Sequence, residues 1–410
     1  MSGGTVLVRG GLVLDVAAGT YDEVDLLAVD GRLAESGPGL RAPSEARVVD
    51  ARGGYVLPGL VDAHVHVTAA TADLAALEHW SAAYVSLAAA RELEATLRRG
   101  FTTVRDVAGA DFGLAAAVRD GLVPGPRLLF CGRALSQTGG HGDNRGAGEH
   151  VVDDCGCALR LGRVADGVDA VRAAARDELR KGAHHLKVMA SGGVASPTDR
   201  IDSTQYSTEE LRAIVAEAEA ANRYVAAHAY TARAVDRAVR AGVRSIEHGN
   251  LIDDQAVATM LEHGAFLVPT LVTYWALDRE GERFGLPPES QAKVAEVLDA
   301  GLGAMERAAR AGVPIVFGTD LLGGMRRHQS EELRIRGEVL DPLSVIRSAT
   351  VTAAELVGLE GQVGTLAPGA FADLLVADAD PLADLGVLAE PARHLRAVVS
   401  GGNVVAGAVS

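Results

Sequence analysis

The chain is poor in cysteine, in aromatic rings and in positive charge, and each shortage closes off a class of protein. Three cysteines among 410 residues, Cys131, Cys155 and Cys157, supply no paired framework, so a disulfide-stapled secreted fold is not expected. The Cys155-x-Cys157 pair lacks the spacing and the second half of a zinc knuckle, and reads as structural or incidental. Lysine and arginine number 39 against 54 aspartates and glutamates, a formal net charge of -15. A surface of that sign repels nucleic acid and anionic membranes, so neither is expected as a partner. No apolar run is long enough to span a bilayer, and no charged leader precedes Thr5-Val6-Leu7-Val8. A cytoplasmic location is the expectation that follows.

Hydrophobic residues make up 48% of the sequence, enough for a large core. A chain of 410 residues exceeds what one small core fills, which leaves a large barrel with attachments or two domains. Residues 5–58 alternate as short strands separated by turn signals such as Asp30-Gly31 and Gly53-Gly54. The period then changes. Residues 72–99 carry alanine, leucine and charge at helical spacing and close on Arg98-Arg99-Gly100, a cationic last turn followed by a capping glycine.

The same punctuation recurs at Lys181-Gly182, Arg240-Ala241-Gly242, His263-Gly264 and Arg310-Ala311-Gly312, each followed within a few residues by a short apolar run. About eight such runs can be counted, at 59–67, 101–107, 127–131, 184–191, 224–230, 244–248, 265–271 and 314–320. Eight strands alternating with helices predict an α/β protein, a (β/α)8 TIM barrel, with its site at the C-terminal ends of the strands. An open doubly wound sheet fits the alternation too, but no Gly-x-Gly-x-x-Gly follows an early strand. Helices are expected over 331–339 and 342–357, and strands again over 372–377 and 395–399. Both termini are therefore β-rich, which predicts a small composite β-sandwich domain from 1–57 plus 362–410 beside a barrel over 58–361.

The stretch Gly59-Leu60-Val61-Asp62-Ala63-His64-Val65-His66-Val67 reads as a buried strand whose two histidines share a face. Paired imidazoles at a strand end can grip one metal ion. Lys187 lies on the fourth predicted strand, His228 on the fifth, His248 on the sixth and Asp320 at the tip of the eighth. Any one of these could be a hydrogen-bonded or salt-bridged core residue. Six of them on predicted strands favour a metal site.

These residues resemble the signature of the amidohydrolase superfamily: His-x-His after Gly-Leu-Val-Asp-Ala, a lysine on strand four, histidines on strands five and six, and an aspartate on strand eight. Lys187-Val188-Met189-Ala190-Ser191-Gly192-Gly193, Ala227-His228-Ala229-Tyr230, Ile246-Glu247-His248-Gly249 and Val268-Pro269-Thr270 are similar to a narrower branch. It holds Xaa-Pro dipeptidases (prolidase-like enzymes), zinc-dependent arginine and lysine carboxypeptidases, ochratoxin-type amidases and, more distantly, imidazolonepropionase. The resemblance implies two divalent metal ions, zinc before others. His64, His66 and Asp320 would hold one, His228 and His248 the other, and Lys187 would bridge them as an N-carboxylated side chain. Asp320 would also shuttle the proton of amide hydrolysis.

His141, in the glycine-rich loop Gly139-Gly140-His141-Gly142, and Tyr230 are expected to touch the carbonyl oxygen or a substrate carboxylate. His328 reads as a solvated loop residue. Arg326 and Arg327 are candidates for an anionic substrate group, with a plain surface role the simpler reading. Residues 273–288 are expected to form a long lid. The function expected is hydrolysis of an amide bond beside a free carboxylate, in a dipeptide or an N-acyl amino acid, by a homo-oligomer. The alternatives are a cyclic amidase or heterocycle deaminase with a mononuclear site, against which Lys187 speaks, and a metal-free scaffold or binding protein.

Overall fold

The computed structural model describes residues 4–44, 46–150 and 159–407; Cys155 and Cys157 fall outside them. The first barrel strand is Leu60–Val65, pairing in parallel with the second, Phe101–Asp106, which pairs with the third, Arg127–Phe130. The first two are buried on almost every residue, as a parallel strand covered on both faces must be. The fourth to seventh barrel strands, Leu186–Met189, Val225–Thr231, Ser245–Leu251 and Phe266–Val268, form a second parallel run.

The two runs join into a ring on both sides. After Cys131-Gly132-Arg133 the third strand resumes as Ala134–Ser136, which pairs with the fourth at Val188 and Leu135. On the other side, residues 314–320 are the eighth strand in extended but irregular form. Leu267 N donates to Pro314 O at 3.0 Å and Val316 N to Leu267 O at 2.8 Å; on the opposite flank Ala63 N donates to Phe317 O at 2.9 Å and Asp320 N to His64 O at 2.8 Å. Closure is tight at Gly318, where a Cβ would stand 2.4 Å from Val268 and 2.8 Å from the His64 Cβ. Only glycine lets the first and eighth strands approach so closely.

Strands from both termini share one sheet. Its order is Asn403–Gly407, Leu395–Ser400, Leu374–Ala377, Tyr55–Pro58, Val6–Asp15, Thr20–Val29, Arg32–Gly37, with Arg47–Asp50 also on Val6–Asp15. The sheet curls back on itself, since Leu33 N donates to Ala370 O at 2.9 Å. Strand alternation divides the central strand between two cores: Leu374 and Val376 pack inside the sandwich with Val6, Val56 and Val399, whereas Leu375 and Ala377 pack with Phe101 and Phe317 of the barrel.

Several helices differ from expectation. The helix expected over 72–99 is two, Leu74–Leu77 and Ala82–Arg98, and the one over 342–357 is two, Pro342–Ser348 and Val351–Val357. The second break falls at Thr350, whose φ of -135° and ψ of -99° lie outside the helical region. The stretch expected as a lid lies at the mouth but is helical rather than a loop. Helix Leu271–Glu280 and a single turn, Glu282–Phe284, lead into the long helix Pro288–Ala311. Leu271–Glu280 is helical because Val272, Tyr274, Ala276 and Leu277 are buried against the barrel mouth, and tertiary packing decides where periodicity is weak.

Helix Glu331–Gly337 is pinned beneath the last strands by a fully buried ion pair. Glu332 Oε1 meets Arg336 Nε at 2.7 Å and its Oε2 accepts from Val272 N at 2.6 Å, while Arg336 Nη2 donates to Val316 O at 3.1 Å. Glu332→Ala strands the guanidinium in the core, and is expected to cost about 3–5 kcal/mol. A denaturant titration with an unshifted midpoint would show that Arg336 finds another partner.

Candidate metal centre

Parallel strands aim their C-terminal ends at one mouth, and the polar side chains meet there. His64 Nε2 lies 3.3 Å and His66 Nε2 3.1 Å from Asp320 Oδ1, and the three ligand atoms all fall within 4.8 Å of one another. Donors at about 2.0–2.2 Å from one tetrahedral ion stand roughly 3.3 Å apart, so the spacing suits a metal. Both rings present Nε2 inward because Nδ1 is engaged behind, His64 with Glu247 Oε2 at 2.7 Å and His66 with the Ala108 carbonyl at 2.9 Å. An Nδ1 that donates its hydrogen leaves Nε2 with the free lone pair.

Glu247 is itself held by Arg105. The Arg105 Nη2 donates to both Glu247 oxygens at 2.8 and 2.9 Å, Nη1 to Ser245 Oγ at 3.1 Å and Nε to Ala63 O at 2.5 Å, with both charged side chains 0% exposed. Burial alone would raise the Glu247 carboxyl, but Arg105 and the bond from His64 hold it well below the usual range. Burial also works against the charge on Asp320, and there His64 and His66 outweigh it and hold that carboxyl low.

His228 and His248 form the other side of the site, with rings 4.5 Å apart, and His248 is 5.0 Å from the His64 ring. His228 Nε2 donates to Gly192 O at 3.1 Å, which frees Nδ1. His248 Nδ1 lies 2.8 Å from Thr270 Oγ1 and 3.0 Å from the Tyr274 hydroxyl, which frees Nε2. Burial drives both imidazoles well below their ordinary pKa, so they are neutral, as ligands must be. Lys187 is 2% exposed, and among the described residues its amine has no hydrogen-bond or ion-pair partner. Burial lowers its pKa against the pull of Glu247 and Asp320.

A cavity of about 60 Å³ opens over these groups. His66, Asp320, His141 and Tyr230 reach it, and Leu74, Leu161, Met189, Val194, Leu277 and Leu322 make it largely apolar.

A model of the amidohydrolase family matches residues 55–405. The chain belongs to the amidohydrolase family. Among curated proteins, the ochratoxinase of Aspergillus niger is 36% identical over 370 residues, 86% of this chain and 76% of that protein. Among solved structures, a prolidase complexed with N-methylphosphonate-L-proline is 50% identical, with a TM-score of 0.95 over 98% of this chain and 100% of that one. A Xaa-Pro dipeptidase with methionine bound in its active site is 28% identical, with a TM-score of 0.86 over 98% of this chain and 99% of that one. These similarities place the amidohydrolase in the prolidase-like branch that its motifs resemble.

The weaker sequence candidates divide. His141 stacks on His228 with ring centroids 4.1 Å apart, and its Nδ1 is 2.7 Å from Ser196 Oγ. Tyr230 stands 4.8 Å from the His228 ring, as a shared strand face requires. Arg326 and Arg327 do not reach the cavity. Arg326 donates to Gly323 O and Val67 O, and Arg327 donates to Gly324 O and pairs with Glu280. His328 is half-buried rather than solvated, because Glu280 lies 3.3 Å from its Nε2 and Trp275 packs edge-on at 5.1 Å.

The sequence alone assigns no role to Arg105 or Tyr274, and Glu247 enters only within the motif around His248. Arg105 could have been found by the signal that marked Lys187, a long cation in the apolar run 101–107. Glu247 carried only its place beside His248, and Tyr274 carried no signal at all.

The Glu247 carboxyl, held low in the fold, stabilises it fully above the unfolded value of about 4.3, and that stability fades as pH falls from there toward the folded value. Glu247→Gln is therefore expected to lose about 3–5 kcal/mol at neutral pH by leaving Arg105 uncompensated. Its deficit against the parent should shrink below about pH 4. Denaturant unfolding at both pH values checks this, and a constant deficit would assign the loss to packing.

Proposed function

We propose that the chain is a metal-dependent hydrolase of an amide or peptide bond next to a free carboxylate, in a dipeptide, Xaa-Pro-like ones included, or an N-acyl amino acid. The observation that carries this reading is the convergence of four imidazoles, one carboxylate and one partnerless amine beneath an apolar cavity. On this reading His64, His66 and Asp320 hold one divalent ion, zinc before other metals. His228 and His248 would hold a second, and Lys187 as its N-carboxylate would supply oxygen ligands between them.

The donor set fits that assignment. A buried amine without a partner is costly, and a lowered pKa leaves more of it in the neutral form that adds to carbon dioxide. In that addition the nitrogen bonds to carbon, a proton departs, and an anionic pair of oxygens replaces a stranded cation. A pair of divalent ions bound there lowers the pKa of water from about 15.7 towards about 7 and polarises a carbonyl.

The chain's own residues would do the rest. Asp320, kept ionised and 19% exposed on its side chain, is placed to take a proton at its carboxylate and release it to the leaving nitrogen. His141 and Tyr230 offer hydrogen bonds from the cavity wall to the scissile oxygen or the terminal carboxylate. The apolar wall supports an uncharged side chain on the substrate and speaks against arginine or lysine. The solved prolidase binds N-methylphosphonate-L-proline, a compact carboxylate of that kind. The boundaries proposed for the two parts are 58–361 for the barrel and 1–57 with 362–410 for the flanking unit.

Elemental analysis of the purified protein is expected to find about two divalent ions per chain. Lys187→Ala should lower that content and cut turnover of the best substrate from a dipeptide and N-acyl amino acid panel at least about a hundredfold. Full metal content with full activity in Lys187→Ala would remove the bridging role. A wild type inactive across the panel would remove the substrate class.

A further inference from the structure

Helix Leu271–Glu280 begins immediately beyond the seventh strand, at Thr270, whose φ of 50° turns the chain sharply at the rim. Its first turn grasps the ends of three strands. Thr270 Oγ1 lies 2.8 Å from His248 Nδ1 of the sixth, Thr273 Oγ1 donates to the Asp320 carbonyl of the eighth at 2.8 Å, and the Tyr274 hydroxyl lies 2.9 Å from the Tyr230 hydroxyl of the fifth. Tyr274 is 1% exposed, and its second contact is His248 Nδ1 at 3.0 Å. A phenylalanine would fill the same space. Thr270 donates to the same oxygen, so the hydroxyl needs a reason beyond packing, and Tyr230 and His248 belong to the site.

Hydrogen counting gives the chain of bonds a direction. On the hydrolase reading His248 keeps Nε2 as its ligand atom, so the ring hydrogen sits on Nδ1, which lies 3.9 Å from Asp320 Oδ2 and within hydrogen-bond reach of Thr270 and of the Tyr274 oxygen, to one of which it is donated. Tyr274 then spends its own single hydrogen on the Tyr230 oxygen. The other partner of the Tyr230 hydroxyl is the Val194 backbone N–H, which also donates to its oxygen, and Tyr230 lines the cavity, as Tyr274 does beside it. Its hydrogen is left to point at whatever occupies that space.

We propose that Tyr274 is a positioning residue that aims the Tyr230 hydroxyl as a donor at the substrate oxygen, by bridging His248 Nδ1 to Tyr230. This rests on the hydrolase reading, in which Tyr230 touches substrate. Acting through Tyr230, Tyr274 contributes to turnover only while the Tyr230 hydroxyl is present. A merely structural tyrosine would act independently of it.

The test is a four-protein cycle of wild type, Tyr274→Phe, Tyr230→Phe and the double variant, assayed on whichever dipeptide or N-acyl amino acid the wild type hydrolyses. Metal content and thermal midpoint are measured on each. Tyr274→Phe is expected to lower kcat/KM about tenfold, the worth of one oriented hydrogen bond, with metal content and melting at the wild-type level. Added to Tyr230→Phe, it should cost no more than about a further twofold. Equal losses in both backgrounds, an unchanged kcat/KM in Tyr274→Phe, or a loss that tracks missing metal would each overturn the proposal while leaving the hydrolase reading intact. A wild type that hydrolyses nothing in the panel sinks that reading and this inference together.

Discussion

Arg105 brings a full positive charge into the interior of the barrel, fully shielded from water, and the arrangement of the site follows from how that charge is answered. Removing an ion from water costs several kcal/mol unless close partners replace the lost hydration. Glu247, Ser245 and the Ala63 carbonyl do so. The Glu247 oxygen that meets Arg105 at 2.9 Å also takes the His64 Nδ1 hydrogen, so charge neutralisation and ligand orientation use the same atoms. A pair of well-packed apolar residues could replace Arg105 and Glu247 without loss of stability. Such a core would leave His64 free to rotate or to take the wrong tautomer. Orientation of the imidazole is therefore the better account of why the buried pair is there.

Backbone conformation does the rest of the aiming. His248 within the sixth strand, Thr270 just beyond the seventh and Asp320 at the tip of the eighth have φ of 77°, 50° and 53°, a region that side-chain-bearing residues enter at a cost of about 1–3 kcal/mol each. Regular alternation would put His248 on the face opposite to Glu247. Its left-handed turn swings the ring to the mouth instead, 4.5 Å from His228. The same turn at Thr270 starts the helix that carries Tyr274. Three adjacent strained positions coincide with the candidate ligand cluster and its nearest hydroxyls, and a fold seeking stability alone would have relaxed them.

How legible this was in the sequence depended on the kind of signal. His64, His66, Lys187, His228 and Asp320 stood out because each is polar in an apolar run, and a strand's two-residue period says which way neighbours point. Helix ends were legible at the glycines after basic last turns, as at Gly312, which has φ of 94° and caps Pro288–Ala311. Helix interruptions at 78–81 and at Thr350 were not legible, because they follow from where each segment must pack. Arg326, Arg327 and His328 show the same limit. Two arginines after the eighth strand suggested contact with an anion and His328 a solvated loop, yet Glu280, forty-seven positions before Arg327, claims Arg327 and His328. Pairings across that distance leave no trace in local composition.

The same reasoning separates what holds the centre from what would read a substrate. The inferred ligands sit on strands, where barrel closure fixes them to their neighbours through backbone hydrogen bonds. His141 sits on a loop, and its position is transmitted. Lys293, from helix Pro288–Ala311, donates to the carbonyls of Gly193 at 3.0 Å, Ser196 at 2.8 Å and Asp199 at 2.8 Å. Asp199 accepts from Ser196, and Ser196 meets His141 Nδ1. Gly193 lies so near the His141 ring that a Cβ there would stand 2.1 Å from its Cε1, so the loop and the imidazole cannot shift independently. A single lysine on a distant helix thus orders the loop against which His141 packs, and the long helix becomes part of the site without touching the cavity. Loops of this kind can change their lining residues while the strand ends stay constant, which is how one centre can serve amides of different shape.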